Sequence, residues 1–319
     1  MALEAGERKN GFFYEEVVTD DLYLKMELKS IGFNGQSKFQ RLQIVESGPF
    51  GKTLVIDDHT QSSALDEHIY HETLVHPAML AHGSPKTVFI GGGGEGATAR
   101  EVLRWKSVEK VVMCDIDEVA CRICREQLPE WNEGVYEDPR FEIYYEDAHA
   151  FMANWQGPKF DVVIMDICDP IEAGPGIALY FQEFYQSTAK DKMTEGGVFV
   201  TQSGCCGILN YHEVFTTIHS TVRASFKHAH ALAVDIPSFG CPWGFNIAYN
   251  SCAHPDVANW LPEDVDARIA SNIKDIDTKP MHDYDGLRHR ALFGLPKVIR
   301  KALVEETKVM TKETPVFLT

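Results

Sequence analysis

No apolar run in the 319 residues approaches the roughly 20 needed to cross a bilayer as a helix, so no membrane span is expected. Cations are in deficit: 30 Lys and Arg stand against 47 Asp and Glu, a formal net charge of −17. Without a basic face to neutralise phosphates, the composition argues against nucleic acid as a partner. The stretch Met1 to Gly11 lacks a basic segment followed by an apolar one, so no secretory signal is expected and the cytoplasm is the expected compartment. Cysteines number only eight. Cys205 and Cys206 are adjacent, and Cys121 and Cys124 fall in a helical pattern with no second ligand pair, which predicts reduced thiols rather than disulfides or a zinc site. Internal repeats and low-complexity linkers are also missing.

What remains is an ordinary globular composition, 44% hydrophobic and 24% charged, on a chain long enough for a sizeable core. Residues 12–64 alternate apolar and polar, as in Leu22-Tyr-Leu-Lys-Met-Glu-Leu28, with turn signals at Gly32 to Gly35, Gly48-Pro49 and Asp57-Asp58. That pattern predicts a small antiparallel β domain over 1–64. A helical period follows from Asp66 through Ala81. From Thr87 onward short apolar runs each end in Gly or Asp and lead into helix-like stretches: Thr87–Ile90, Val111–Met113, Phe141–Tyr145, Asp161–Met165 and Gly197–Val200, with two more at Ala229–Ile236 and Phe245–Tyr249. Strand and helix in alternation imply an α/β domain over 65–319, built on a doubly wound, mostly parallel sheet. Ligands of such sheets bind beyond the carboxyl ends of the strands.

Those ends are where the chemistry-bearing residues fall. The first strand runs into Gly91-Gly-Gly-Gly-Glu-Gly96 and a helix from Ala97 to Trp105; Gly91, Gly93 and Gly96 satisfy the G-x-G-x-x-G fingerprint. Asp115, about 20 residues on, ends the next strand where a ribose hydroxyl is held. These two features are shared by nicotinamide and S-adenosyl enzymes. Glu95 separates them: a pyrophosphate wants no carboxylate beside it, whereas a sulfonium carrying a terminal ammonium does. The third strand delivers Glu146-Asp147-Ala148, with Asp147 placed to accept from an adenine amino group. The fourth delivers Asp166-Ile-Cys-Asp-Pro170, followed by the Gly- and Pro-rich stretch from Ile171 to Leu179. Each acid alone is more often a solvated loop residue, but acids at successive strand ends are not a chance pattern. Asp166 and Asp169 read as a catalytic pair under a mobile lid. An ammonium must lose a proton before it attacks, and a carboxylate in reach can take it.

In this order the motifs Gly-Gly-Gly-Glu-Gly, Cys-Asp-Ile-Asp, Asp-Ala, Asp-x-x-Asp-Pro and Val200-Thr-Gln-Ser-Gly204 resemble the spermidine synthase superfamily of polyamine aminopropyltransferases. The resemblance extends to Ser37-Lys-Phe-Gln40, Leu54-Val-Ile-Asp57, Gln61, Tyr70-His-Glu72 and His76-Pro77, nearly the whole chain. It implies a Rossmann-like catalytic domain of the S-adenosylmethionine-dependent methyltransferase type behind the small β domain, in a homodimer or homotetramer. The implied co-substrate is decarboxylated S-adenosylmethionine, with no metal or other cofactor, since the sulfonium is already activated. Gln40 and Asp115 would hold the nucleoside, Asp147 and Ala148 the adenine side, and Gly91 and Gly93 the close approach to the donor. Glu95 would hold the aminopropyl amine. Asp166 is similar to the family's base and Asp169 to its partner, while Gln61, Tyr70 and His71 would line the acceptor channel.

Three departures from the spermidine synthase pattern lie on the acceptor side. Tyr-Gln-Glu is here Tyr70-His71-Glu72, Asp-Ser-Ser/Thr-Asp-Pro is Asp166-Ile167-Cys168-Asp169-Pro170, and Ile-Pro-Thr-Tyr is Ile236-Pro237-Ser238-Phe239, which loses a phenol. These positions are similar to plant-type thermospermine synthases, as are Thr98-Ala-Arg-Glu101 and Glu305-Glu-Thr-Lys-Val-Met-Thr311. Tyr70 to Met79 is similar also to bacterial enzymes that use agmatine or triamines. The expectation is transfer to spermidine, giving thermospermine and methylthioadenosine, with spermidine, spermine or N1-aminopropylagmatine synthesis as alternatives. A methyltransferase would bring a donor carboxylate towards Glu95, and a non-catalytic polyamine binder would not need both Asp166 and Asp169.

Overall fold

The structure, a computed structural model, describes residues 11–19, 21–172 and 174–318. Residues 1–10, read for a signal, and Ala173, inside the expected lid, lie outside them. The chain divides into two compact units, one of residues up to Glu67 together with Ser238–Gly240, the other of His68–Pro237 and Cys241 onward.

The first unit is an antiparallel meander of β1 (Phe12–Thr19), β2 (Leu22–Gln36), β3 (Arg41–Ser47), β4 (Gly51–Ile56) and β5 (His59–Ser63), paired in that order. Alternation puts Tyr14, Met26, Val45 and Val55 on one buried face. The β4–β5 hairpin closes through two residues, Asp57 and Asp58, with φ of 48° and 67°. Positive φ at both centres is what a two-residue turn matched to strand twist requires, and Asp tolerates it better than most residues. Asp66 ties the unit's chain ends: it accepts from Ser63 Oγ at 2.7 Å, and from the Ser238 amide at 2.7 Å and hydroxyl at 2.8 Å.

The second unit is a seven-stranded sheet of β6 (Thr87–Gly92), β7 (Lys110–Asp115), β8 (Phe141–Tyr145), β9 (Phe160–Asp166), β10 (Met193–Cys205), β11 (His228–Ile236) and β12 (Cys241–Tyr249). The order is β11-β12-β10-β9-β6-β7-β8. β6 to β10 pair in parallel, and β12 runs antiparallel between β10 and β11. This is the Rossmann-like, methyltransferase-type arrangement. Val88, Phe89, Ile90, Val111 to Cys114 and Val162 to Met165 are fully buried, which is why these strands read as continuous apolar runs. Each such large side chain contributes about 1.5–3 kcal/mol by burial.

The helices that position the site are α1 (Glu67–His82), α2 (Ala97–Leu103), α3 (Glu118–Gln127), α4 (Pro129–Asn132) and α5 (Ala148–Asn154). α1 is buried on every side from Tyr70 to Ala81. α2 stops at Leu103, short of the expected Trp105. The Trp105 amide bonds back to Val102, Trp105 bridges to Ile273, and its indole donates to His76 Nδ1 at 3.2 Å. β10 runs well past the Gly197–Val200 signal. Its extension carries Thr201 and Gln202, whose pairing with Asn246 and Phe245 supplies the order that an apolar pattern does not announce.

Candidate active site

β6 and β9 are neighbours although the chain leaves them in opposite directions across the sheet, so their tips form the topological switch point. The backbones touch there. Gly92 has φ of 77°, and a Cβ on it would stand 2.1 Å from the Asp166 carbonyl oxygen, closer than any side chain permits. The Gly93 amide donates to that same carbonyl at 2.9 Å. The glycine loop is also held from α4's side of the sheet: Tyr136 donates its hydroxyl to Gly94 O at 3.2 Å, and Arg100 in α2 donates to Trp131 O at 2.8 Å.

Asp166, the last residue of β9, has both carboxylate oxygens engaged. Tyr70 from α1 donates to Oδ1 at 2.8 Å, and Thr98 from the first turn of α2 donates to Oδ2 at 2.6 Å. Burial, then the Asp166 charge, pushes the Tyr70 phenol far above its ordinary range, which keeps it protonated as a donor. Three elements that meet only in the fold therefore fix one carboxylate. Each oxygen keeps lone-pair capacity for a further donor such as an ammonium.

Glu95, on the turn between β6 and α2, is set against His71 of α1, with Nε2 to Oε1 at 2.7 Å and both side chains nearly buried. Asp115 ends β7, where its carboxylate accepts the Asp117 amide at 2.8 Å. Burial pushes Asp115 up to about 6, aided by the charges of Asp117 and Asp166 and opposed by backbone donors. Asp117 caps α3 through the amides of Val119 and Ala120. Asp147 is exposed and caps α5, accepting the Ala150 amide at 2.7 Å; Ala148 is the buried first residue of that helix.

Asp169 is oriented by Gln202 of β10, whose amide nitrogen lies 3.1 Å from Oδ1, 2.7 Å from Ile167 O and 2.6 Å from the Tyr180 hydroxyl. The Gln202 oxygen accepts the Gly204 amide and the Trp243 indole, which fixes its orientation. Tyr180 in turn donates to Cys168 O at 3.0 Å, so the two residues between the acids, Ile167 and Cys168, are both held through their carbonyls. Within the expected lid, the Ile171 amide bonds to Asp169 O and the Gly174 amide to Ile171 O, while Leu179 and Tyr180 are buried.

The structure thus gathers Tyr70, His71, Gly91, Gly93, Glu95, Asp115, Asp166 and Asp169 at the carboxyl ends of β6, β7, β9 and β10. Gln40, Gln61 and Phe239 belong to the first unit: Gln40 closes the Ser37 turn, Gln61 sits in β5 and donates to His59 O, and Phe239 lies in the Ser238–Gly240 segment. Sequence reasoning missed Thr98 and Gln202 as site residues, although Gln202 stands in the Val-Thr-Gln-Ser-Gly motif and Thr98 follows the glycine loop. Glu72, next to His71, serves the fold. It is buried and accepts the amides of His282, Asp283 and Tyr284 at 2.8, 2.9 and 2.7 Å.

A glycine turn at the strand ends, an acid held by Tyr and Thr, and further acids on adjacent strands form the arrangement expected of an S-adenosyl group-transfer site. Two family signatures match the chain, the spermine/spermidine synthase domain over residues 67–255 and the spermidine synthase tetramerisation domain over 12–63. A polyamine aminopropyltransferase of Aeropyrum pernix is 41% identical, over 97% of this chain and 96% of that one. Thermospermine synthase ACAULIS5 of Arabidopsis thaliana is 38% identical, over 96% of this chain and 87% of its own. Among solved structures, a spermidine synthase complexed with the transition-state analogue AdoDATO superposes with a TM-score of 0.82 at 29% identity, covering 94% of this chain and 97% of that one. The chain belongs to the spermine/spermidine synthase family of polyamine aminopropyltransferases.

Proposed function

We propose that the protein transfers the aminopropyl group of decarboxylated S-adenosylmethionine to spermidine, giving thermospermine and methylthioadenosine. The observation that carries this reading is Asp166, held on both oxygens by Tyr70 and Thr98 at the switch point, with Glu95 and Asp115 on the neighbouring turns. In the reaction Asp115 takes the ribose hydroxyls and Asp147 the adenine amino group, while Glu95 takes the donor's terminal ammonium. Asp166 accepts a proton from the acceptor amine, and Asp169, set by Gln202, balances the positive charge that remains. The amine nitrogen bonds to the carbon beside the sulfonium, the carbon–sulfur bond breaks, and its electron pair leaves with sulfur as a neutral thioether. Holding both reactants in line converts an encounter into a unimolecular step. The segment from Ile171 to Leu179 would close over the pair and exclude water.

Spermidine as acceptor is supported by the departures at Asp166–Pro170 and Ile236–Phe239 and by the likeness to the Arabidopsis thermospermine synthase across nearly the whole chain. Self-association is supported by the tetramerisation signature and by apolar side chains standing exposed on β1 and β2, among them Phe12, Val17 and Tyr23. The deciding test is incubation with decarboxylated donor and a panel of amines, followed by chromatography that resolves thermospermine from spermine. Thermospermine formed faster from spermidine than spermidine from putrescine is the expected result, and Asp166→Asn should be slowed by about 10²–10⁴-fold. A product that co-elutes with spermine alone, or activity confined to putrescine or agmatine, refutes the choice of acceptor. Methylation by intact S-adenosylmethionine refutes the reaction.

A further inference from the structure

His71 occupies the position where the spermidine synthase pattern has glutamine, and it is set 2.7 Å from Glu95, with the imidazole 2% and the carboxylate 10% exposed. A glutamine there donates a hydrogen bond and carries no charge at any pH. An imidazole changes charge within the physiological range. The pair therefore has two states with different consequences for a cation. With an imidazolium, Nε2–H⁺ answers the Glu95 charge and the pair is neutral. With a neutral imidazole, Nε2–H still donates to Glu95, but Glu95 keeps a full negative charge and can take an ammonium as its counter-ion. Two cations contend for one buried carboxylate.

We propose that His71 is a specificity-determining residue on the donor side: protonated, it closes Glu95 to the donor's ammonium; neutral, it opens it. The inference rests on the reading of Glu95 as the partner of that ammonium. Facing the pair are Tyr70 on α1, with ring centroids 5.0 Å from His71, Asp166 at the end of β9, and Asp115 and Asp117 at the β7–α3 turn. Cys124 of α3 also faces it, a thiol that burial, then Glu95 and Asp115, keep protonated. Because the proton and the donor exclude each other, donor binding expels a proton on the acid side.

Asp115 titrates in the same range and would weaken any nucleoside at low pH, so the control is methylthioadenosine, which has the nucleoside but no aminopropyl ammonium. Calorimetry of decarboxylated S-adenosylmethionine and of methylthioadenosine, from pH 5.5 to 8.5, gives the ratio of their affinities. In the parent protein that ratio should fall as pH is lowered through this range, by up to about tenfold per pH unit, and level off towards its alkaline end. In His71→Gln, the residue of the spermidine synthase pattern, the ratio should be flat. A flat ratio in the parent, or a slope that survives in His71→Gln, overturns the inference, and the parent curve decides it alone if the variant does not fold. Absence of decarboxylated donor binding at every pH, with methylthioadenosine still bound, overturns the reading of Glu95 itself and this inference with it.

Discussion

Thr98→Val tests whether Asp166 is a positioned base or merely a nearby acid. Valine keeps the branched shape of a side chain that is fully buried and deletes the hydroxyl that donates to Oδ2 at 2.6 Å. A hydrogen bond to a charged acceptor is worth roughly 1.5–3 kcal/mol net. Tyr70 still holds Oδ1, and Asp166 is only half-buried, so water can replace part of the lost donor. The lower end applies, and about 1.5 kcal/mol in the transition state is roughly tenfold in kcat. Donor affinity should stay within about twofold, under 0.5 kcal/mol, because the hydroxyl is committed to the base. Single-turnover kinetics at saturating donor separates the two quantities. Thr98→Ser, which restores the hydroxyl, should recover most of the rate. Parental kcat in Thr98→Val would refute the argument, as would a serine variant as slow as the valine one, since restoring the hydroxyl would then not restore the rate.

Asp115 gives a pH test on binding. Its carboxyl is raised to about 6, and ribose hydroxyls pair with the ionised form, so methylthioadenosine affinity should fall by about tenfold at pH 5. Asp115→Asn should bind weakly and without that slope; a parent curve flat from pH 5 to 8 would refute the role. The same group affects stability with the opposite sign. Its folded value lies above the ordinary 3.8 of an aspartate, so its stabilisation is complete below about 3.8 and is lost as pH rises through about 6. Glu72→Gln removes one oxygen from a carboxylate that accepts three backbone amides. A buried amide left unpaired costs about 1–3 kcal/mol, so denaturant unfolding should show a loss of that size, and an unchanged midpoint would refute the anchoring role.

The strands were legible wherever burial on both faces produced an unbroken apolar run, and the more exposed edge strand β8 also falls at the expected Phe141–Tyr145. The placement of β12 between β10 and β11 was not legible, because periodicity reports the faces of a strand and not its neighbours. The strand-end acids could be read because strand ends in a doubly wound sheet are predictable places, and Asp166 closes an apolar run. Their partners could not. Thr98 meets Asp166, and Gln202 meets Asp169, only after parallel pairing of β6, β9 and β10 brings segments far apart in sequence side by side. His71 was read together with its motif neighbour Tyr70, and successive residues of a helix point about 100° apart. One faces Asp166 and the other Glu95. Asp147, read only as an adenine contact, also serves as a helix cap, a role that any strand-to-helix turn invites.

The contact between Gly92 and the Asp166 carbonyl makes one codon intolerant in a way its neighbours are not. A methyl group at 92 meets main chain rather than a flexible side chain, so one strand tip must give way, and the base rides on the other. A mutant library built to change the accepted amine therefore has a fixed point at its centre. Its freedom lies a few residues away, at partly exposed Ile167 and exposed Cys168, where substitution leaves both strand tips in place. Side chains around these strand tips can change while the approach of the two main chains stays locked to a glycine.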